Sequence, residues 1–178
     1  MTKINEASRQ VLDKIWEIAE QNGGCHKLNN NKAFMPLSIE KLTPAIISIC
    51  HYGEQNGDLM RDPEMLFWKD ESGDYFPYYF RNDYTNIENF AGEVTDYGLF
   101  IFDKAEQFQQ AKFAETWLNN IKHQQELVYP SVKFQCSLHP EELLTSEWCE
   151  KNCPRYYHCD TVAWAMDEEM ENEHNTHQ

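Results

Sequence analysis

The sequence predicts an α+β fold: an antiparallel meander sheet with two helices on one face, followed by a small, cysteine-rich, mostly helical appendage. Three observations lead there. Helix-periodic stretches near residues 6–22 and 103–125 bracket a run of short apolar segments. Those segments are bounded by turn residues and in part alternate, as strands do. Beyond residue 130 the apolar pattern gives way to four clustered cysteines. A chain of 178 residues holds one good core and little more. The boundaries fall at 1–129 for the α+β domain, 130–170 for the appendage and 171–178 for an acidic tail.

Val11, Leu12, Ile15, Ile18 and Ala19 recur at helical spacing, and Asn22-Gly23-Gly24 supplies the stop, so residues 6–22 should form an amphipathic helix. From Phe34 to Leu42 the residues Met35, Leu37 and Ile39 alternate with Pro36, Ser38 and Glu40, the period of a half-buried strand; Pro36 places it at an edge or at the strand start. Strands follow at 45–52, 64–69 and 75–81, and the Asp70–Asp74 turn pairs the last two antiparallel. Residues 82–96 read as a polar excursion, and 98–102 as one more short strand. Asp103 with Glu106 three residues on is a capping arrangement, and Phe108, Ala111, Ala114, Trp117, Leu118 and Ile121 give the second helix a broad apolar face before Tyr129-Pro130.

Thirty acids against fifteen bases leave a formal charge of -15, which repels nucleic-acid phosphates in the absence of a basic patch. Direct nucleic-acid binding is therefore not expected. The charge instead suits an acidic inhibitor or DNA mimic that occupies a nucleic-acid-binding protein, or simply a solvated acidic face. Residues 160–178 alone carry six carboxylates and no lysine or arginine. No apolar run of membrane-spanning length occurs, and Met1–Gln10 lacks the pattern of a secretion signal, so the expected setting is cytoplasmic.

The block from His51 to Met65 holds a histidine, four carboxylates, an arginine, two glycines and a proline between the apolar runs IISIC and LFW. It reads as the connection of a hairpin, and loops and strand ends are where sites are often mounted. On a catalytic reading, Asp58, Asp62 and Glu64 hold a divalent cation while His51 or Lys69 assists a water, as in a metal-dependent hydrolase of nuclease type. The odd Glu64-to-Lys69 spacing works against it, because side chains alternate faces along a strand. On a binding reading, Glu54 and Arg61 join Arg81, Asp83 and Tyr84 of the next polar cluster across the sheet. On a structural reading, Gly53 and Gly57 serve a tight turn, and Asp62-Pro63 restarts the strand. The block matches no nucleophile elbow, phosphate loop or zinc-protease helix.

The segments FMPLSIEKL, ISICHYGEQNGDLMRDPEMLFW, GDYFPYYFRNDY and FAETWLNNIKHQQ, in this order and spacing, closely resemble the bacterial domain-of-unknown-function family 6908 over residues 8–127. The resemblance implies an accessory protein of a phage, plasmid or integrative element, without an assigned activity. Such a protein is expected to act by binding a protein partner.

The remaining chemistry lies beyond that segment. Cys136, Cys149, Cys153 and Cys159 are spaced C-x12-C-x3-C-x5-C, with His139 and His158 as alternate ligands. Four soft ligands this close can hold one zinc ion or one [4Fe-4S] cluster, which would staple an appendage that has little core of its own. A short helix from His139 to Trp148 would bring Cys149 and Cys153 together. The segment is similar to the cluster-binding core of the WhiB-like regulators, with a gap of three where those have two and an acidic tail where theirs is basic. Reduced packing thiols and disulfides are the other readings, and Cys25 and Cys50 read as lone buried thiols.

Overall fold

The computed structural model describes residues 1–127, 133–135 and 143–145. The chain forms two compact units, Met1–Leu127 and Val128–Gln178. The first is an α+β domain. Its opening helix α1 (Glu6–Gln21) is capped by Asn5, whose side chain accepts from the Ser8 amide, and it stops at Gly23 and Gly24, both at positive φ. Val11, Leu12, Ile15 and Ala19 form its buried stripe, as the period requires.

Six strands then run as an antiparallel meander: β1 (Cys25–Leu28), β2 (Leu37–Thr43), β3 (Ile46–Gln55), β4 (Asp58–Lys69), β5 (Tyr75–Asn82) and β6 (Ile87–Phe90), adjacent in that order. Alternation divides the sheet into two faces. Leu37, Ile39, Ile47, Ile49, Met65 and Phe67 are almost fully buried and make the core with α1 and with α2 (Lys104–Gln124). Burying side chains of this size stabilises the fold by about 1.5–3 kcal/mol each before entropy is counted. Asp103 caps α2 by accepting from the Glu106 amide, and Lys122 and His123 lie in its last turn, where positive charge suits the helix dipole. No helix among the described residues is long and apolar enough to cross a membrane.

A clasp closes the domain at residues 2–5. The Thr2 amide donates to Gln107 Oε1 at 2.8 Å, the Ile4 amide to the Tyr75 carbonyl at 3.1 Å, and the Asn5 amide to Glu115 Oε1 at 3.1 Å. The Tyr75 hydroxyl donates to Asp13 of α1 at 2.8 Å, so helix and sheet are tied by polar bonds as well as packing.

On the helix-free face lies a small hairpin, β7 (Gly92–Thr95) and β8 (Gly98–Ile101), which among the described residues pair only with each other. Its root is drawn together at Ala91, whose carbonyl accepts from the amides of Phe102 and Asp103. Val94, Leu99 and Ile101 pack there, together with Leu66 and Trp68, against the buried cluster of Ile46, Tyr78 and Tyr79.

Several sequence expectations need correction. Residues 98–101 form the expected short strand, β8, which pairs with β7 through Glu93↔Phe100 and Val94↔Leu99 rather than with the main sheet. The 82–96 excursion contains β6 and β7, and β1 occupies a stretch with no strand pattern. Cys25 is exposed on that edge strand, whereas Cys50 is buried as expected. In the second unit, Leu143–Thr145 is a strand rather than part of a helix: it pairs antiparallel with Lys133–Gln135, which gives its backbone groups partners. The mostly helical description does not hold for that segment.

Candidate functional site

The His51–Met65 block is strand almost throughout, and only Asn56 and Gly57 turn. Both have positive φ, 55° and 91°, which a two-residue hairpin turn demands. The β3–β4 pairing continues through Tyr52↔Arg61, Gly53↔Met60, Glu54↔Leu59 and Gln55↔Asp58. On the flanks, β2 pairs only as far as Leu37↔His51, and β5 only as far as Glu64↔Arg81. Residues 52–61 therefore overhang their neighbours as a two-stranded ribbon. Gly53 is not a turn residue. It leaves room for Tyr84, because a Cβ there would collide with the Tyr84 hydroxyl and come within 3.1 Å of its ring carbons.

Side chains from three strands and the loop after β5 hold the root of the ribbon. The Arg61 amide donates to Asp83 Oδ2 at 2.9 Å, and the Asp83 amide returns a bond to the Arg61 carbonyl at 2.9 Å. Arg81 Nε donates to Asp83 Oδ1 at 2.7 Å, and Arg61 Nε lies 2.7 Å from Glu64 Oε2. Ser48 Oγ donates to Glu64 Oε1 at 2.9 Å. Farther along, Glu88 accepts from both Arg81 and the Tyr79 hydroxyl. Asp62 Oδ1 accepts from Asn82 Nδ2 at 2.7 Å. The Arg61 amide and the Arg81 guanidinium hold the Asp83 carboxyl below the usual carboxylate range.

The structure thus brings Arg61, Arg81, Asp83 and Tyr84 together at the ribbon root, with Glu54 farther out on the ribbon itself. It does not gather Asp58, Asp62 and Glu64. Glu64 faces Arg61 and Ser48, Asp62 faces Asn82, and Asp58 lies beside the turn. Among the described residues no group of three or more His, Cys, Asp or Glu side chains could hold a metal ion. Lys69 is engaged elsewhere, 3.0 Å from Asp13 and stacked near Trp16 and Tyr75. His51 points to the helix layer, where its ring lies 5.6 Å from that of Trp117. Burial holds its imidazole below the ordinary histidine range, against the pull of Asp62. The cysteines 136, 149, 153 and 159 and the alternates His139 and His158 lie outside the described residues.

Beside the root, on the same face, a cleft of about 370 Å³ is lined by Cys25, Lys27, Glu40, Ser48, Cys50, Tyr52 and Glu64. It exists because Ser38, Ser48 and Cys50 are small and stand between longer side chains on neighbouring strands. Its floor is chemically quiet. Ser48 is spent on Glu64, Cys50 Sγ donates to the His51 carbonyl, and burial pushes the Cys50 thiol up to about 12. Sequence reasoning missed Ser48 and Glu88. Ser48 carried a signal, since the polar or small positions 48, 50 and 52 alternate with 47, 49 and 51.

Fold and site together define a two-layer α+β domain with a clamped, overhanging ribbon. The chain belongs to the family described as Domain of unknown function (DUF6908), whose pattern matches residues 9–127. No curated protein and no solved structure matches it. The matched segment ends before the cysteine cluster begins.

Proposed function

We propose that this protein acts in the cytoplasm by binding a protein partner through the β3–β4 ribbon, as an accessory protein of a phage or other mobile element. The observation that carries the reading is the contrast between root and tip. At the root the charges are consumed by internal bonds, which fixes the ribbon's direction. At the tip Leu59 is 71% exposed, and Glu54 opposite it and Asp58 beside it have no ion pair among the described residues. A preorganised apolar anchor inside an acidic rim fits an apolar pocket with a basic rim. Nucleic-acid-binding proteins carry such basic surfaces, and the net charge of -15 suits an inhibitor of one.

The test compares proteins retained from host extract by the wild type, by Leu59→Glu and by the double variant Glu54→Lys/Asp58→Lys. One retained species should be lost with both variants at unchanged Tm, and should weaken in the wild type between 0.1 and 0.5 M salt, roughly as screening of exposed charges requires. Identical retention by all three overturns the reading.

The proposal includes a metal staple in the second unit, formed by Cys136, Cys149, Cys153 and Cys159. Its support is their spacing. Protein purified without oxygen should carry about one zinc per chain, or a brown chromophore if a [4Fe-4S] cluster is bound. Metal-free protein in which all six thiols titrate after denaturation would remove the staple from the proposal.

A further inference from the structure

His51 is the buried titratable group that the ribbon reading leaves unused. Its side chain sits on the helix side of β3, where pairing with β4 shifts register between Cys50↔Glu64 and Tyr52↔Arg61. The residue is 4% exposed, and its Nε2 has no hydrogen-bond partner among the described residues. An imidazole in that setting fills space as an apolar ring while keeping an unused proton site.

Its surroundings form a connected row. The His51 ring lies 5.6 Å from Trp117 on α2, Trp117 lies 6.1 Å from Phe113, and Phe113 lies 5.2 Å from Phe80 on β5. The row is the contact between the middle of α2 and the strands that carry the ribbon. The elements around His51 contribute one opposing charge: β4 supplies Asp62, α2 presents the indole of Trp117, and β2 pairs through Leu37. On β3 itself the neighbouring Cys50 lines the cleft on the opposite face. Asp62 in turn accepts from Asn82, next to the Arg81–Asp83 pair of the ribbon root.

We infer that His51 is an acid-sensitive latch between α2 and the root of the ribbon. Neutral, the ring packs against Trp117. Protonated, it places a cation at the end of an aromatic row, with Asp62 as the nearby carboxylate to receive it. Turning toward Asp62 competes with Asn82 for that carboxylate and withdraws the ring from Trp117. One proton thereby changes both the helix contact and a bond at the ribbon root.

The sign follows from burial. A base held below its unfolded value stabilises nothing extra while neutral, and it disfavours the folded state as pH falls below about 6.5, where the unfolded chain binds the proton first. The latch is secure at neutral pH and loosens on acidification.

The test is a histidine-resolved NMR titration of the full chain between about pH 8 and 4.5, with His51→Gln and His51→Phe as controls. One histidine should titrate below the ordinary histidine value of about 6.5 and be missing from both variants. The Trp117 indole and Asn82 side-chain amide signals should shift with the same midpoint in the wild type and lose that transition in both variants. An ordinary midpoint for His51, or Trp117 and Asn82 shifts that persist in the variants, would overturn the latch. Should Gln fail to pack, Phe keeps the ring and the comparison.

Discussion

Replacing Asp83 with alanine is expected to lower stability by about 2–3 kcal/mol, read as a shift in urea midpoint, and to free the ribbon from its root. Asp83 satisfies the Arg61 amide and pairs with two arginines, while its side chain is only 16% exposed. An exposed ion pair of ordinary geometry would contribute a fraction of that. The difference here is that alanine leaves a backbone amide and two neighbouring guanidinium groups short of an acceptor. Asp83→Asn separates the two contributions: it can still accept from the Arg61 amide, and should recover roughly half of the loss. Amide exchange at residues 52–61 should accelerate in Asp83→Ala while the core strands stay protected. Equal acceleration in the core would mean that the root is not a local clamp. Acid should act in the same direction. Asp83 is held below the ordinary carboxylate range, so its contribution is complete above about pH 4 and disappears as pH falls through the lowered value.

The larger effect is expected from Phe67→Ala, at about 3–5 kcal/mol. Phe67 lies on β4 in the middle of the sheet, is fully buried, and faces the helix layer with Ile47 directly opposite. Removing the ring takes away contacts on both layers, and neighbours held by strand pairing cannot close the void. Phe67→Leu keeps most of the volume and should cost under about 1.5 kcal/mol. Denaturation followed by tryptophan fluorescence checks both, since Trp16 and Trp117 lie in the same helix layer. Similar losses for alanine and leucine would show that ring shape, not cavity volume, dominates at this position.

Both helices and the meander were legible in the sequence for physical reasons. Each helix carries a one-sided apolar stripe, so period locates both, while the central strands stand out as apolar runs between turn residues, with β3 and β5 buried on both faces over Ile46–Cys50 and Tyr75–Tyr79. The ribbon was not legible as strand because neither flanking strand reaches past its root. With both faces wet, residues 52–61 have no need to alternate, and their glycines and acids resemble a loop. Edge strand β1, Cys-His-Lys-Leu, failed to register for a related reason: only Leu28 is buried. The β7–β8 hairpin was half visible, through Gly98–Phe102, but its partner segment lay hidden in a polar stretch.

At the site, the cluster Arg81-Asn82-Asp83-Tyr84 gave the one usable hint that two distant polar blocks meet. What they do there was invisible. An arginine beside an aspartate in sequence reads equally well as a binding pair and as a clamp, and only the paired bonds between Asp83 and the Arg61 main chain, 22 residues apart, reveal the clamp. The same geometry explains why Glu64 looked catalytic: a carboxylate near a histidine and other acids in sequence is, in space, already occupied by Arg61 and Ser48.

The clasp at residues 2–5 sets an order in time. Its acceptors are Tyr75, Gln107 and Glu115, so α1 can meet β1 and β2 early, but the clasp is complete only once α2, more than a hundred residues further along, has been synthesised. The step that seals the domain joins residues 2–5 to its last helix.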